Sequence, residues 1–200
     1  MRFESKVVFI TGGTKGLGKA MAQAFLAEGA SVAVNSRSKE AVDRFAEELK
    51  GQQVLAFDTD IADHAAMEAM ASKVYETLGK VDILINNAGI VNPLAPSEKI
   101  KQDDFDRVID VNLKGTFYAT QAFGKRMIQQ GSGRIVSIAS QVALFGEKGF
   151  LPYAIAKSGL MLMTRQLAFE WSRHGVTLCA VAPGFIKGGM NEGLIRKEVF

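Results

Sequence analysis

Residues 6–18 read KVVFITGGTKGLG, an apolar run that leads directly into a glycine-rich turn. The run predicts a buried strand over Lys6–Thr11, and the residues after it predict a helix from Gly16 to Glu28 that ends at Gly29. Glycines let such a turn approach a pyrophosphate closely, and the helix start supplies unpaired N–H groups and a positive dipole end. The order of strand, turn and helix therefore favours a nucleotide-binding turn over an ordinary glycine turn.

The rest of the chain repeats this alternation of apolar runs and longer helical patterns. Further strands are predicted at Ser31–Asn35, Gln53–Phe57, Val81–Asn86, Arg134–Ser140 and Val176–Ala182, and further helices at Lys39–Lys50, Asp63–Leu78, Asp103–Gln130 and Pro152–His174. The helix over Asp103–Gln130 is expected to break near Asn112. Continuously apolar strands joined by helices predict an α/β fold, a Rossmann-type doubly wound parallel sheet in a single domain over residues 1–200.

Composition excludes several classes of function. The 200 residues carry a formal net charge of only +3, and the basic residues form pairs rather than long runs. We therefore expect neither a nucleic-acid nor a membrane partner. The two histidines, His64 and His174, have no neighbours at ligand spacing, so no metal site is predicted. The single cysteine, Cys179, lies in an apolar run and is expected to be a buried, inert thiol, and we expect a cytoplasmic protein.

Several motifs stand in register along the chain. The turn from Thr11 to Gly18 has the spacing Gly-x-x-x-Gly-x-Gly, Asn86-Asn87-Ala88-Gly89 ends the fourth strand, and Pro183-Gly184 follows the sixth. Between them stand Asn112, Ser140, Tyr153 and Lys157. In order and spacing these residues resemble the cofactor motif and catalytic tetrad of the short-chain dehydrogenase/reductase family, especially its sugar-acid and polyol dehydrogenases and its 3-oxoacyl reductases. The resemblance implies hydride transfer between a nicotinamide cofactor and a carbonyl or secondary alcohol substrate.

A cofactor site follows from the same resemblance. NAD enzymes of this kind usually place an acidic side chain at the end of the second strand, where this chain has Arg37. A guanidinium pairs with a 2′-phosphate through charge-assisted hydrogen bonds, and Lys15 adds a second positive charge, so NADP(H) is favoured over NAD(H). The expected cofactor-binding residues are Gly12, Thr14, Lys15, Gly16, Leu17, Gly18, Arg37, Asp60, Ile61, Asn87, Ala88, Gly89, Tyr153, Lys157, Pro183, Gly184 and Ile186.

The tetrad has a chemical interpretation. Tyr153 and Lys157 stand four residues apart and share one helix face. A tyrosine has a pKa of about 10, and a nearby ammonium is expected to lower the pKa of Tyr153 so that it serves as acid/base. Ser140 is expected to hydrogen-bond and polarise the substrate oxygen. Asn112 is expected to kink its helix and to bind a water that relays protons to Lys157.

Two segments are expected to wall the substrate site. One lies between Ser140 and Tyr153 and has Glu147 and Lys148 at its tip, and the other is Ile90–Pro96. The apolar residues of the first segment are Val142, Ala143, Leu144, Phe145, Phe150 and Leu151. This mixture identifies no particular substrate.

The end of the chain departs from the family pattern. A threonine usual in the family is replaced by Gly188, and by the same resemblance we expect the family's helical lid and seventh strand to be missing after it. We expect the region of Gly188 and Gly189 to be mobile. The sixth strand and an apolar surface on the helix Pro152–His174, with Leu160, Met161, Met163, Leu167 and Trp171, predict a homo-oligomer, a dimer or a tetramer. Because of this departure, a non-catalytic NADP(H)-binding regulatory or scaffold protein stays open as an alternative.

Overall fold

A computed structural model of the chain describes residues 1–186. Six parallel strands of this part form one sheet with the order β3-β2-β1-β4-β5-β6. The strands are β1 (Val7–Ile10), β2 (Ser31–Ser36), β3 (Val54–Asp58), β4 (Ile83–Asn86), β5 (Gly133–Ile138) and β6 (Val176–Val181). The prediction of a doubly wound parallel sheet in a single domain is confirmed.

Helices cover both faces of the sheet. They are α1 (Gly16–Ala27), α2 (Lys39–Glu48), α3 (His64–Leu78), α4 (Gln102–Ile109), α5 (Thr116–Gln130), α6 (Val142–Phe145) and α7 (Leu151–Trp171). Short 3₁₀ turns occupy Ser97–Lys99 and Ser172–His174. The helix expected over Asp103–Gln130 is helical throughout: α4 and α5 are joined without a gap by a π-helix at Asp110–Gly115, which stands where a break near Asn112 was expected.

The apolar strands feed two cores because neighbouring side chains of a strand point to opposite faces. Val8 and Ile10 of β1 pack in a core on one face of the sheet that includes Ala22 of α1 and Phe45 of α2. Phe9, from the same strand, packs in the core on the other face, where its ring centroid lies 4.4 Å from that of Phe123 in α5. Burial on both faces explains why these strands read as continuous apolar runs.

The strand order places a cleft at the middle of the sheet. From β1 the chain proceeds outward to β2 and β3 on one side, and then returns to β4, β5 and β6 on the other. The crossover connections diverge between β1 and β4, which leaves a crevice outside the carboxyl ends of these two strands. The residues that follow β1 and β4 are the glycine turn and Asn87-Ala88-Gly89.

Two expectations about the last strand and the residues beyond it have different outcomes. The prediction that Cys179 is a buried thiol is wrong, since its side chain is exposed. The reason is that β6 lies at the edge of the sheet formed by the described residues, where four of its six residues, Thr177, Cys179, Ala180 and Val181, are exposed. The expectations about Gly188, Gly189 and the missing lid and last strand lie outside the described residues.

Candidate active site

The glycine turn after β1 has the shape that a phosphate-binding turn needs. Gly12 has a φ of +64°, which favours glycine, and a Cβ atom at Gly18 would lie only 2.4 Å from the Gly12 carbonyl oxygen. Helix α1 begins at Gly16, and no side chain caps its N-terminus. Its first N–H groups therefore face the cleft with a positive dipole end and are available to an anion.

Asparagine side chains hold this turn to the neighbouring strands. Asn87 donates from Nδ2 to the carbonyl oxygens of Thr11 and Gly12 at 3.0 and 3.2 Å, while its backbone N–H donates to Thr11 Oγ1 at 2.9 Å. On the other side, Asn35 Oδ1 accepts from the Gly12 N–H at 3.3 Å and its Nδ2 donates to the Thr59 carbonyl oxygen at 2.9 Å. The sequence analysis predicted Asn87 but missed Asn35, because nothing local marks a strand residue as the partner of a distant turn.

Charged groups collect where β2 and β3 end. Arg37 is exposed beside the cleft and makes no ion pair within residues 1–186. Asp60 pairs instead with Arg107 of α4 at 3.1 Å and accepts from the Ala62 N–H at 3.0 Å. Burial alone would raise the pKa of Asp60, but these two hydrogen bonds hold it below its usual value. The charge of Arg37 also helps to lower this pKa, but Arg37 makes no ion pair with Asp60, so its guanidinium donors are available to an anionic ligand. Arg107 is a neighbour that no sequence motif indicated.

Ser140, Tyr153 and Lys157 come together between β5 and α7. Ser140 follows the carboxyl end of β5, and the other two lie on the first two turns of α7. Lys157 is only 4% exposed, its Nζ donates to the Ile138 carbonyl oxygen at 2.6 Å, and it lies 5.7 Å from the ring centroid of Tyr153. Because burial disfavours the charged form, the pKa of Lys157 falls to about 8.

The expected direction of the tyrosine shift is wrong. Burial raises the pKa of Tyr153 above its usual value, and a hydrogen bond with Ser140 lowers it in part. The ammonium of Lys157 was expected to lower this pKa. In the structure Lys157 Nζ donates to a backbone carbonyl and lies beside the aromatic ring, so burial is the larger influence on the phenol.

Asn112 holds the backbone of the segment that follows β4. It is fully buried in the π-helix, its Oδ1 accepts from the Ile90 N–H at 2.8 Å, and its Nδ2 donates to the Ile90 carbonyl oxygen at 2.8 Å. A Cβ atom at Gly89 would lie 3.2 Å from this Oδ1 and 3.6 Å from Lys157 Nζ, so the three residues converge. The side chain that was expected to bind a relay water is therefore committed to the segment after β4.

One cleft with a volume of about 1310 Å³ joins these groups. All of the predicted cofactor and catalytic residues line it except Thr14 and Asn112, which lie behind its surface. Both expected substrate walls contribute, but with fewer residues than predicted: Val142, Phe145, Glu147 and Phe150 from one wall, and Ile90 and Val91 from the other. The segment between Ser140 and Tyr153 forms the short helix α6, which no periodic pattern indicated, and this helix places its residues beside the cleft.

The described part of the chain contains neither a cluster of metal-binding side chains nor a membrane-spanning helix. Within residues 1–186, no three or more His, Cys, Asp or Glu side chains are grouped as a metal site would require. No helix in the same range is both long and apolar enough to span a membrane.

Comparison with known proteins agrees with this geometry. Residues 6–199 match the family described as short chain dehydrogenase. The chain is 40% identical over 200 residues to the (2S)-[(R)-hydroxy(phenyl)methyl]succinyl-CoA dehydrogenase subunit BbsD of Thauera aromatica, covering 99% of this chain and 80% of that protein. It is 39% identical over 199 residues to the 3-oxoacyl-[acyl-carrier-protein] reductase FabG of Thermotoga maritima, covering 98% and 80%. Among solved structures, it superposes with a TM-score of 0.90 on a gluconate 5-dehydrogenase from Burkholderia cenocepacia in complex with NADP and tartrate, at 30% identity and covering 99% and 78% of the two chains.

Proposed function

The chain belongs to the short-chain dehydrogenase family and is an oxidoreductase that acts on CH–OH or carbonyl groups, and we propose that it uses NADP(H), with Tyr153 as the acid/base. The observation that carries this proposal is the convergence of Ser140, Tyr153 and Lys157 on the cleft that also contains the glycine turn. A bound nicotinamide supplies or accepts the hydride. The side chains of this protein bind the cofactor and transfer the proton.

The described residues fit a dinucleotide phosphate. The uncapped start of α1 and the close approach of Gly12 and Gly18 leave room for a pyrophosphate against backbone N–H groups. Lys15 and Arg37 line the same end of the cleft and offer two positive charges for a 2′-phosphate. The gluconate 5-dehydrogenase described above, which holds NADP, supports this assignment by analogy.

Proton transfer falls to the tyrosine. During reduction of a carbonyl, Tyr153 donates its phenolic proton to the substrate oxygen, and during oxidation of an alcohol the phenolate takes that proton back. Because burial raises the pKa of Tyr153 above its usual value, the phenol is protonated near neutral pH and can donate. Ser140 has one hydroxyl proton to donate, and this proton turns from the phenol to the substrate oxygen as negative charge develops there.

Arg37→Ala is expected to weaken NADPH binding about tenfold and to change NADH binding by less than about twofold. The physical reason is that Arg37 has no ion-pair partner within the described residues and can therefore pair with a phosphate. A hydrogen bond to a charged group contributes about 1.5–3 kcal/mol, and solvent screening at this exposed site reduces the contribution to the lower end of that range. Titration of both cofactors by fluorescence measures the two losses. Arg44→Ala, an exposed arginine on α2 outside the cleft, is the matched control. Equal losses for the two cofactors would remove Arg37 from this role.

Turnover is tested by following the reduced-nicotinamide absorbance with a panel of ketones and polyols and with both cofactors. An active reductase consumes NADPH with at least one ketone of the panel. Tight NADPH binding without turnover on any substrate would instead support the non-catalytic regulatory protein that the sequence left open.

We further propose a cytoplasmic homo-oligomer, either a dimer or a tetramer, built partly on α7. Of the residues that the sequence suggested for this surface, Leu160 and Leu167 are buried, whereas Met161, Met163 and Trp171 are partly exposed. A different stripe is exposed: Ile155, Leu162 and Phe169 are 42%, 65% and 84% exposed. Their spacing of seven residues places them on one helix face, which is suited to pack against a second copy.

Phe169→Glu is expected to shift the protein toward monomer, because a carboxylate would be buried in the apolar contact between copies. Sedimentation or light scattering measures the mass, and Phe169→Leu, which keeps the surface apolar, is expected to retain the wild-type assembly. If Phe169→Glu has the mass of the wild-type oligomer, the stripe on α7 is not the interface.

A further inference from the structure

Gln141 directly follows the catalytic Ser140, and its backbone is held from two sides. Its N–H donates to the Pro183 carbonyl oxygen at 3.0 Å, which ties it to the segment after β6. Its carbonyl oxygen accepts from the N–H groups of Leu144 and Phe145 at 2.9 and 3.3 Å, which form the turn of α6. The origin of this side chain is therefore fixed beside the reacting centre.

The side-chain amide of Gln141, by contrast, is uncommitted. It lines the cleft, is half-buried, and has no hydrogen-bond partner within residues 1–186. Gly184 lies against it, and a Cβ atom at this glycine would approach Gln141 Oε1 to 3.1 Å, closer than ordinary van der Waals contact. Because residue 184 is a glycine, the side-chain amide of Gln141 has room for its present position.

The surroundings of this amide are apolar. Described residues that line the same end of the cleft include Ile90, Val91, Val142, Phe145 and Phe150. Such a wall gives a ligand few polar groups, and these few determine its orientation. A half-buried amide without a partner gains most from a ligand that restores its hydrogen bonds.

The charge at this end of the cleft also restricts the ligand. Glu147, two residues after the end of α6, lines the cleft with an exposed carboxylate that accepts from the Lys148 N–H at 3.2 Å. Lys157, which lines the cleft beside Tyr153, is buried and donates to a backbone carbonyl, and Lys148, next to Glu147, is exposed and is not among the residues that line the cleft. A carboxylate near the substrate disfavours an anionic ligand, so an uncharged substrate fits these residues better than a sugar acid.

We propose that Gln141 binds a second oxygen of the substrate, and that the substrate is an uncharged hydroxy ketone or the corresponding diol. An amide both donates and accepts hydrogen bonds, as does a hydroxyl group, so the two groups are complementary. Ser140 and Tyr153 hold the reacting oxygen while Gln141 holds its neighbour. This inference rests on the proposed reductase function and adds a substrate class to it.

The test uses two ketones that differ by one hydroxyl group, 1-hydroxy-2-butanone and 2-butanone, with NADPH as the reductant. In the wild type, kcat/KM is expected to be higher for the hydroxylated ketone. Gln141→Met keeps the length of the side chain without the amide, and it is expected to lower the ratio of the two kcat/KM values about tenfold, the worth of one hydrogen bond between uncharged groups. Gln141→Leu is the second variant, in case one of the two folds poorly.

Gln53→Met is the matched control, because Gln53 is exposed just before β3, at the opposite end of the strands from the cleft, and its side chain accepts only from Ser31 Oγ among the described residues. It is expected to leave the ratio unchanged. If both Gln141 variants turn over the two ketones in the wild-type ratio, or lose both activities equally, Gln141 does not bind the second oxygen, and the reductase function stands. If the wild type oxidises NADPH with no ketone of the larger panel, the proposed function itself fails, and this inference fails with it.

Discussion

Tyr153→Phe is expected to lower turnover about a thousandfold, within the range that general acid–base catalysis contributes, and to leave NADPH binding within about twofold of wild type. The substitution removes the only group assigned to proton transfer and keeps the aromatic ring. Ser140 loses its hydrogen bond to the phenol, but its Oγ still accepts from the Val142 N–H at 3.3 Å. The Ser140 hydroxyl proton loses its acceptor, but it faces the cleft, where water replaces the phenol, so stability should change little.

The measurement is the initial rate of NADPH oxidation on the best ketone of the panel, together with the dissociation constant of NADPH. Tyr118→Phe is the matched control, because this tyrosine lies on α5 outside the cleft and loses the same atom. It should retain wild-type turnover. A Tyr153→Phe enzyme that reduces ketones at close to the wild-type rate would show that another group donates the proton.

Lys157→Met is expected to lower turnover at least a hundredfold and, at neutral pH, to stabilise the fold. The unfolded chain keeps the lysine proton up to a pKa of about 10.5, whereas burial lowers the folded pKa of Lys157 to about 8. Below pH 8 the folded protein therefore carries a charge that its surroundings disfavour, at a cost of about 3 kcal/mol. Lys157→Met removes this cost but also removes the hydrogen bond to the Ile138 carbonyl oxygen, which destabilises the fold by about 1–2 kcal/mol. A net stabilisation of about 1–2 kcal/mol is therefore expected.

The pH dependence identifies the cause. Between pH 8 and 10.5 the unfolded chain binds more protons at this position than the folded protein, so wild-type stability should rise with pH across this window. The advantage of Lys157→Met should shrink over the same window and reverse above it, where only the lost hydrogen bond to Ile138 remains. Urea unfolding at pH 7 and at pH 10 measures both effects, and Lys73→Met, at an exposed lysine, should leave the pH profile unchanged. A variant that is less stable than wild type at neutral pH would show that Lys157 is well accommodated as a cation.

Much of the fold could be predicted from local patterns. The apolar runs from Val7 to Ile10 and from Val32 to Val34 are buried on both faces of a parallel sheet, and only such a sheet makes a strand continuously apolar. The glycine turn could be predicted for a similar reason, since Gly12 and Gly18 satisfy backbone constraints that no other residue meets. Local chemistry also placed Tyr153 and Lys157 on one helix face.

What could not be predicted depends on pairings between distant residues. The hydrogen bonds of Asn112 to Ile90 and of Asn35 to Gly12, and the ion pair of Arg107 with Asp60, connect residues that are 22, 23 and 47 positions apart. No periodicity encodes such partners. The direction in which the pKa of Tyr153 shifts could not be predicted either, because it depends on how deeply the whole fold buries this side chain. The exposure of Cys179 follows from its position in an edge strand, which its own apolar neighbours do not reveal.

Isotope transfer tests the central claim, hydride transfer to a carbonyl within this cleft, most directly. NADPH carrying deuterium at its transferable position is incubated with the wild-type protein and the best ketone of the panel, and the alcohol product is analysed by mass spectrometry and NMR. The account predicts one deuterium on the carbinol carbon and none when ordinary NADPH is used in deuterated water, apart from the exchangeable hydroxyl. Product without deuterium on that carbon, or no product while NADPH binds tightly, would contradict it.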